Sequence, residues 1–478
     1  MIKWLIVLGV IYISALGFLA IRTKRRTRGT KDFIFAGSNI GLVIGIMSFA
    51  ATLFSTFTLM GLPDFFRIHG VGAWIFLAFS DGVMVFFILF FGYHLRKKVA
   101  ARGFHGISQV LQDSYRNKWA GYVYFICIFL FLIPYTAIQI RGIAIFLHAA
   151  FPGFFPIWVW ALGMIVLMLL YSETGGLKAI MFADVLQGTI LLIIVWVIAW
   201  SCIESFGSMK EMFTEVERID ARLLSVPGPN GLFSFQFLLA SMLVIVLIPV
   251  TQPQLTTRLV IMQDLRTTHR LAIAVGCFAM LIILPTAFIG FYGAVRYPEA
   301  STADFLAGVL LFDQPGFIAA AAIIGLIAAA LSTSDSQIFA MGSELRSLIA
   351  VRDKTLTKTR VGIIFFALAA LVFSLIASDR LVMLARVSFA GTALAAPMIL
   401  AAILRERPPS KWIVVLTALA IVVFLCSLLE LIPATIWILR MDLALLLILG
   451  IFTVASVYTK DKSGRSAPRE MVSNLNDK

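Results

Sequence analysis

Charge is what this chain has least of. Only 13% of its 478 residues are Asp, Glu, Lys or Arg, against about a quarter in soluble domains. Hydrophobic residues make up 60% and the mean hydropathy is +0.98. Together these exclude an ordinary soluble protein and imply a polytopic membrane chain. Cysteine is equally sparse. Cys127, Cys202, Cys277 and Cys426 stand singly in apolar runs; none is paired at a metal-site spacing, and core packing is the role expected of each. The five histidines, His69, His94, His105, His148 and His269, fall near the ends of apolar runs with no HExxH pattern, so no metalloenzyme site is expected. There is no nucleophile–base pair and no phosphate loop, which argues against an enzyme. No appended soluble catalytic domain is visible, which argues against a sensor kinase. A non-transporting membrane sensor stays open.

Long apolar runs are what the chain has in abundance. A spanning helix needs roughly 20 apolar residues. Thirteen runs are candidates, at about 4–21, 41–60, 71–93, 119–150, 156–171, 180–203, 232–252, 271–294, 316–344, 361–377, 381–404, 412–432 and 436–458. With the N-terminus outside and the C-terminus inside, 29 of the 39 lysines and arginines fall in inner segments, as the positive-inside rule requires. The same rule accounts for the net charge of +14 without invoking nucleic acid. The first run carries its basic cluster, RTKRRTRGTK (22–31), after the apolar core. A secretory signal carries it before, so an uncleaved helix is expected. The connection 204–231 is acidic at its centre, and the tail KDKSGRSAPREMVSNLNDK reads as polar and disordered.

Ionisable groups at membrane depth are costly and usually face an interior site. AALSTSDSQ (329–337) places Ala329, Ser332, Thr333 and Ser336 at i, i+3, i+4 and i+7, on one helix face. Hydroxyls and freed carbonyls are hard oxygen ligands suited to Na⁺. The alternatives are Ser/Thr bonding back to the preceding turn and close helix packing. YSETGGLKAIMFADVLQG (171–188) places Glu173 and Lys178 at the inner interface, a tight turn at Gly175-Gly176, and Asp184 one turn from Gln187. Asp184 is either an interhelical hydrogen bond or a cation ligand or proton carrier. SFAATLFSTFTLMGLPDFF (48–66) gives a second run rich in small residues that stops at Gly61-Leu62-Pro63. PVTQPQLTTRLVIMQD (249–264) punctuates the seventh run with Pro249 and Pro253, with Arg258 and Asp264 following. PYTAIQIRGIAIFL (134–147) puts Gln139 and Arg141 in the fourth; Arg141 either snorkels to the outer interface or binds an anion. Arg386 is a further buried-charge candidate, which a span-end carbonyl would equally satisfy.

DFIFAG (32–37), the MGLP end of the second run, YSETGGLKA with Asp184 and Gln187, PQLTTR (253–258) and AALSTSDS together resemble the sodium:solute symporter family, which includes bacterial carriers of proline, pantothenate, sialic acid and galactose. The resemblance implies an all-α polytopic protein with a LeuT-like core of two inverted five-helix repeats. These would span 32–203 and 232–404, joined by an outer loop at 204–231. An extra helix with a basic loop (1–31) precedes them; two extra helices (405–458) and a cytoplasmic tail (459–478) follow. The first helix of each repeat, the second and seventh runs, would be broken at a midplane site. Carried over position by position, the family's sodium ligands are the carbonyls of Ala51, Phe54 and Ala329 and the hydroxyls of Ser332 and Thr333. Some members hold a second sodium. Asp184 and Ser336 match its ligands, with Ser332 shared, but Asp335 stands where such members carry serine. Asp335 is then a second-sodium ligand, a proton site or a structural carboxylate. Leu53 replaces the aspartate of proline carriers, which argues against proline. The implied activity is sodium-coupled import of a small organic solute, carboxylate-bearing if Gln139 and Arg141 contact it, across the cell (inner) membrane. The coupling ion is Na⁺, and the partners are solute, sodium and lipid bilayer, with no nucleic acid. A proton-coupled carrier using Asp184 or Asp335 is the alternative. Oligomeric state is not implied.

Overall fold

An apolar chain in lipid must satisfy every backbone N–H and C=O internally, and the helix does so within one segment. The computed structural model describes residues 1–25, 29–100, 103–349, 355–377 and 381–465, with Glu173 and 457–465 by backbone alone. The expected inner-interface position of the Glu173 side chain and the expected disorder of the tail past 465 lie outside the described residues. Among the described residues nine helices are long and apolar enough to cross a membrane, or ten if one bent pair counts as a single span. The remaining expected runs form the shorter apolar helices Ile157–Ser172, Phe235–Val246 and Met441–Ser456. The chain is a multi-pass membrane protein.

In chain order the helices are α1 (Ile2–Lys24), α2 (Gly29–Phe35), α3 (Leu42–Leu53), α4 (Phe57–His69), α5 (Gly72–Ala100), α6 (Ile107–Tyr115) and α7 (Lys118–Ala150). Next come α8 (Ile157–Ser172), α9 (Thr174–Glu204), α10 (Met209–Asp220), α11 (Phe235–Val246), α12 (Ile248–Thr251), α13 (Pro253–Ile261) and α14 (Leu265–Arg296). The last are α15 (Thr302–Phe312), α16 (Gly316–Ile349), α17 (Thr357–Ile376), α18 (Leu381–Leu404), α19 (Lys411–Leu428) and α20 (Met441–Ser456). A two-stranded hairpin, Thr435–Ile436 with Leu439–Arg440, precedes α20.

Three interruptions shape the core, each with a local cause. α3 and α4 meet at 51°. Here Ser55 N–H donates to Thr58 Oγ1 at 3.0 Å and Phe57 N–H to Ser55 Oγ at 3.3 Å, so side chains compete with the helical ladder. The break thus falls at 54–56, and the expected stop at Gly61-Leu62-Pro63 is corrected. The helix instead runs on to His69, because residues 57–61 wind as a π-helix and Pro63 lies in the first turn of the α-helix that follows, where no amide donor is needed. The second interruption is Gln252, held extended (φ −96°, ψ 116°) between α12 and α13 by Pro253 after it. Thr256 Oγ1 donates to the Pro249 carbonyl at 2.9 Å, in place of the N–H that Pro253 lacks. The third is Gly176, at φ 63°, where a Cβ would lie 2.4 Å from the Phe33 carbonyl oxygen. This is the expected glycine turn.

α16 is the central post, packed against α1, α3, α7, α8–α9 and α17. Its run of Ala and Gly lets neighbouring backbones approach closely. Glu344 near its end is buried and accepts from the Ile107 and Ser108 N–H groups at 2.8 and 2.9 Å, capping α6. Asp264 caps α14 by accepting from Thr267 N–H at 2.6 Å, which holds its carboxyl below the usual value. Arg386 is paired with Asp442 Oδ2 at 2.7 Å and bonds Ser241 Oγ at 3.1 Å, so it staples α18 to α20 and α11. Cys127 and Cys202 are buried as expected, but Cys277 is exposed and Cys426 half-buried, because their positions face outward from the bundle.

Candidate cation and solute site

The break in α3–α4 and the hydroxyl face of α16 meet. Ser332 Oγ donates to the Ala51 and Ala329 carbonyls, 3.0 Å from each. Thr333 Oγ1 lies 3.2 Å from the Ala51 carbonyl and 3.3 Å from that of Thr52. Ala51, Ala329, Ser332 and Thr333 are all buried, so these oxygens converge in a water-poor pocket. Ala51 is available because the Ser55 N–H, its helical partner in an unbroken helix, is turned to Thr58. Phe54 sits at the break itself, with φ −99° and its ring stacked on Phe278 at 5.7 Å. The Thr52 carbonyl joins the cluster without having been anticipated. Unwound carbonyls beside hydroxyls are what sodium sites of broken-helix carriers use. Ser334 turns away, bonding back to the Ala330 carbonyl at 2.6 Å.

One turn further along α16 lies a second cluster. Arg258, on α13, places Nη2 2.9 Å from Asp184 Oδ2 and 2.7 Å from Ser336 Oγ, and donates from Nε to Ser48 Oγ at 2.8 Å. Ser48 Oγ donates to Asp184 Oδ2 at 2.6 Å, and Thr52 Oγ1 lies 3.2 Å from Ser336 Oγ. The pair is fully buried, at 1% and 0% side-chain exposure for Arg258 and Asp184. A guanidinium therefore sits between Asp184 and Ser336, two of the side chains that the family resemblance gives to a second sodium. Asp335, though adjacent to Ser336, faces elsewhere: it accepts from the Tyr171 hydroxyl, and its Oδ1 has no partner among the described residues. Gln187 donates to the Tyr12 hydroxyl at 2.9 Å, tying α9 to α1.

A cavity of about 20 Å³ adjoins the α3–α4 break, room for roughly one water. Its walls come from Leu53, Phe54, Phe57 and Thr58 at the break, Asp81 on α5, Tyr135 on α7, Ile245 and Ile248 beside the second break, and Phe389 on α18. Larger cavities lie toward opposite helix ends. One of about 480 Å³ is lined by Gly61, Asp64, His69 and Val382; the other, of about 440 Å³, by Lys31, Ser38, His105 and Val260. Gln139 and Arg141 do not line the central cavity. Gln139 bonds the Tyr135 carbonyl at 3.3 Å, and Arg141 reaches the Ser374 carbonyl at 3.4 Å. Asp81 was missed from sequence, although a carboxylate inside IFLAFSDGVMVFFILFF is itself a signal.

The architecture matches known transporters across nearly its whole length. A Na⁺-coupled sialic acid symporter in a substrate-bound outward-open state superposes with a TM-score of 0.78 at 15% identity, over 98% of this chain and 99% of that one. A nucleobase-cation-symport-1 family transporter, in a closed conformation with bromovinylhydantoin bound, gives 0.62 at 13% identity, over 91% and 96%. The fold is that of a LeuT-like membrane carrier. The family model for the sodium:solute symporter family matches residues 33–408, and the chain belongs to that family. The sodium/pantothenate symporter of Haemophilus influenzae is 24% identical over 345 residues, covering 70% of this chain and 69% of that protein. These relatives are transporters, not enzymes, and the family's activity is sodium-coupled solute transport.

Proposed function

We propose that the protein imports a small organic solute by sodium-driven alternating access, with Na⁺ held by the carbonyls of Ala51, Phe54 and Ala329 and the hydroxyls of Ser332 and Thr333. The observation that carries this reading is the convergence of Ser332 and Thr333 on the Ala51 carbonyl, 3.0 and 3.2 Å away. An ion there ties α3 to α16, stabilises the form that accepts solute, and fixes the wall of the central cavity through Phe54. The small cavity between two larger ones fits a closed stage of such a cycle. Thirteen crossings, two inverted repeats at 32–203 and 232–404, an outside N-terminus and residence in the cell (inner) membrane complete the reading. One charge crossing 100 mV is worth about 2.3 kcal/mol, so a single sodium supports useful accumulation. One sodium is also the stoichiometry we favour, since Arg258 already neutralises Asp184.

Reconstituted protein given labelled amines, carboxylates and sugars should accumulate its solute under a sodium gradient and not in potassium. Ser332→Ala and Thr333→Ala should abolish the sodium dependence. Equal accumulation in potassium by the unsubstituted protein sinks the reading. Asp335 favours a second one: a buried carboxylate with one unpartnered oxygen is a candidate proton carrier. Uptake driven by a pH gradient without sodium, and lost in Asp335→Asn, establishes that alternative.

A further inference from the structure

We propose that the transported solute is positively charged, carrying an ammonium or quaternary ammonium head of modest size, and that Asp81 is its counter-ion. This rests on reading the central cavity as the solute site. Asp81 is 5% exposed and lines that cavity, and its carboxylate has no hydrogen-bond or ion-pair partner among the described residues. The other buried carboxylates among the described residues are held differently. Asp184 has Arg258, Asp442 has Arg386, Glu344 has two backbone N–H groups, and Asp335 has Tyr171. A buried, unpaired carboxylate costs several kcal/mol. At the wall of a binding cavity, a ligand cation is what offsets that cost.

The rest of the wall points the same way. Phe54, Phe57, Tyr135 and Phe389 supply aromatic rings, with Tyr135 and Phe389 edge-to-face at 4.7 Å. Ring faces attract cations, and a desolvated ammonium in an aromatic cage gains further. Thr58 and the Tyr135 hydroxyl are the other polar groups lining it, and no Lys, Arg or His does. A carboxylate-bearing solute would meet Asp81 with like charge and no basic partner, which costs several kcal/mol. Arg141, the residue that pointed toward anions, is elsewhere. Phe54 belongs both to this wall and to the proposed sodium site, so Asp81 also offsets the repulsion of two cations bound close together.

The test uses purified full-length protein in sodium buffer and thermal stabilisation by three probes of one shape: choline, its uncharged carbon isostere dimethylbutanol, and the anion dimethylbutanoate. Methylammonium and tetramethylammonium extend the series. Choline or a smaller ammonium should stabilise the protein at millimolar concentration, with the neutral isostere weaker by on the order of thirtyfold and the anion inert. Asp81→Asn, an isosteric change, should erase that preference while keeping the stabilisation by sodium alone, which shows that the variant is folded. The proposal is overturned if the neutral or anionic probe matches the ammonium, if no ammonium probe binds, or if Asp81→Asn keeps the preference. Failure of the sodium reading looks different: sodium alone then gives no stabilisation in the unsubstituted protein, and the choline-to-isostere comparison, repeated in potassium, still decides the role of Asp81.

Discussion

The Asp184–Arg258 pair offers the sharpest energetic prediction. Its members come from α9 and α13, 74 residues apart in sequence, and meet at 2.9 Å with essentially no exposure. Asp184→Leu leaves a guanidinium uncompensated beside Ser48 and Ser336; Arg258→Met leaves a carboxylate. Breaking a buried pair from one side costs about 3–5 kcal/mol, a large part of a typical stability of about 5–15 kcal/mol. Removing both charges together, Asp184→Leu with Arg258→Met, should cost far less than the sum, since replacing a whole buried pair with apolar groups is often near neutral. The assay is a double-mutant cycle on thermal unfolding in detergent, with a coupling of about 2 kcal/mol or more expected between the two positions. Additive losses refute the claim that each charge exists to balance the other. The same variants bear on stoichiometry. Arg258→Met frees Asp184, and sodium binding should become steeper, with a Hill coefficient rising above that of the unsubstituted protein.

Three further outcomes follow from local geometry. Gly176→Ala forces a Cβ against the Phe33 carbonyl at a positive φ, and should cost about 1–3 kcal/mol, read as lower expression and an earlier melt. Glu344→Gln weakens the two N–H contacts that hold α6 by about 1 kcal/mol, visible as faster amide exchange at Ile107 and Ser108. Tyr171→Phe removes the donor to Asp335; sodium-driven uptake should persist, because Asp335 does not face the sodium cluster, whereas proton-driven uptake, if that is the mechanism, should fall.

Much of this was legible in the sequence because membrane chains are written in few letters. Leu, Ile, Val and Phe mark lipid-facing helix, so each departure stands out. The hydroxyl face of α16, the proline-flanked break at Gln252 and the turn at Gly176 were all readable from spacing or from residues with fixed backbone preferences. The end of the second run was misplaced because Gly61-Leu62-Pro63 is the louder signal, whereas the chain breaks earlier, where the Ser55 and Thr58 side chains capture amides, and then runs on to His69. Partnerships between distant helices were not legible. Nothing local tells Asp184 that its neighbour is Arg258, Asp335 that it faces Tyr171, or Asp81 that it borders a cavity. These depend on how helices pack, and packing fixed only by small residues leaves little trace of rotation in the sequence. Arg141 shows the converse: a charge in an apolar run invites a site, but its helix turns it toward a Ser374 carbonyl.

The central claim is that a sodium ion sits where α3 and α16 meet, and the most direct measurement is equilibrium binding of radioactive sodium to purified protein. Saturable binding to the unsubstituted chain is expected. Ser332→Ala combined with Thr333→Ala should weaken it by roughly two orders of magnitude, at about 1.4 kcal/mol or more for each lost oxygen ligand, while Ser334→Ala, whose hydroxyl bonds back to the Ala330 and Leu331 carbonyls of its own helix, leaves it unchanged. Unaltered sodium binding in the double variant contradicts the account.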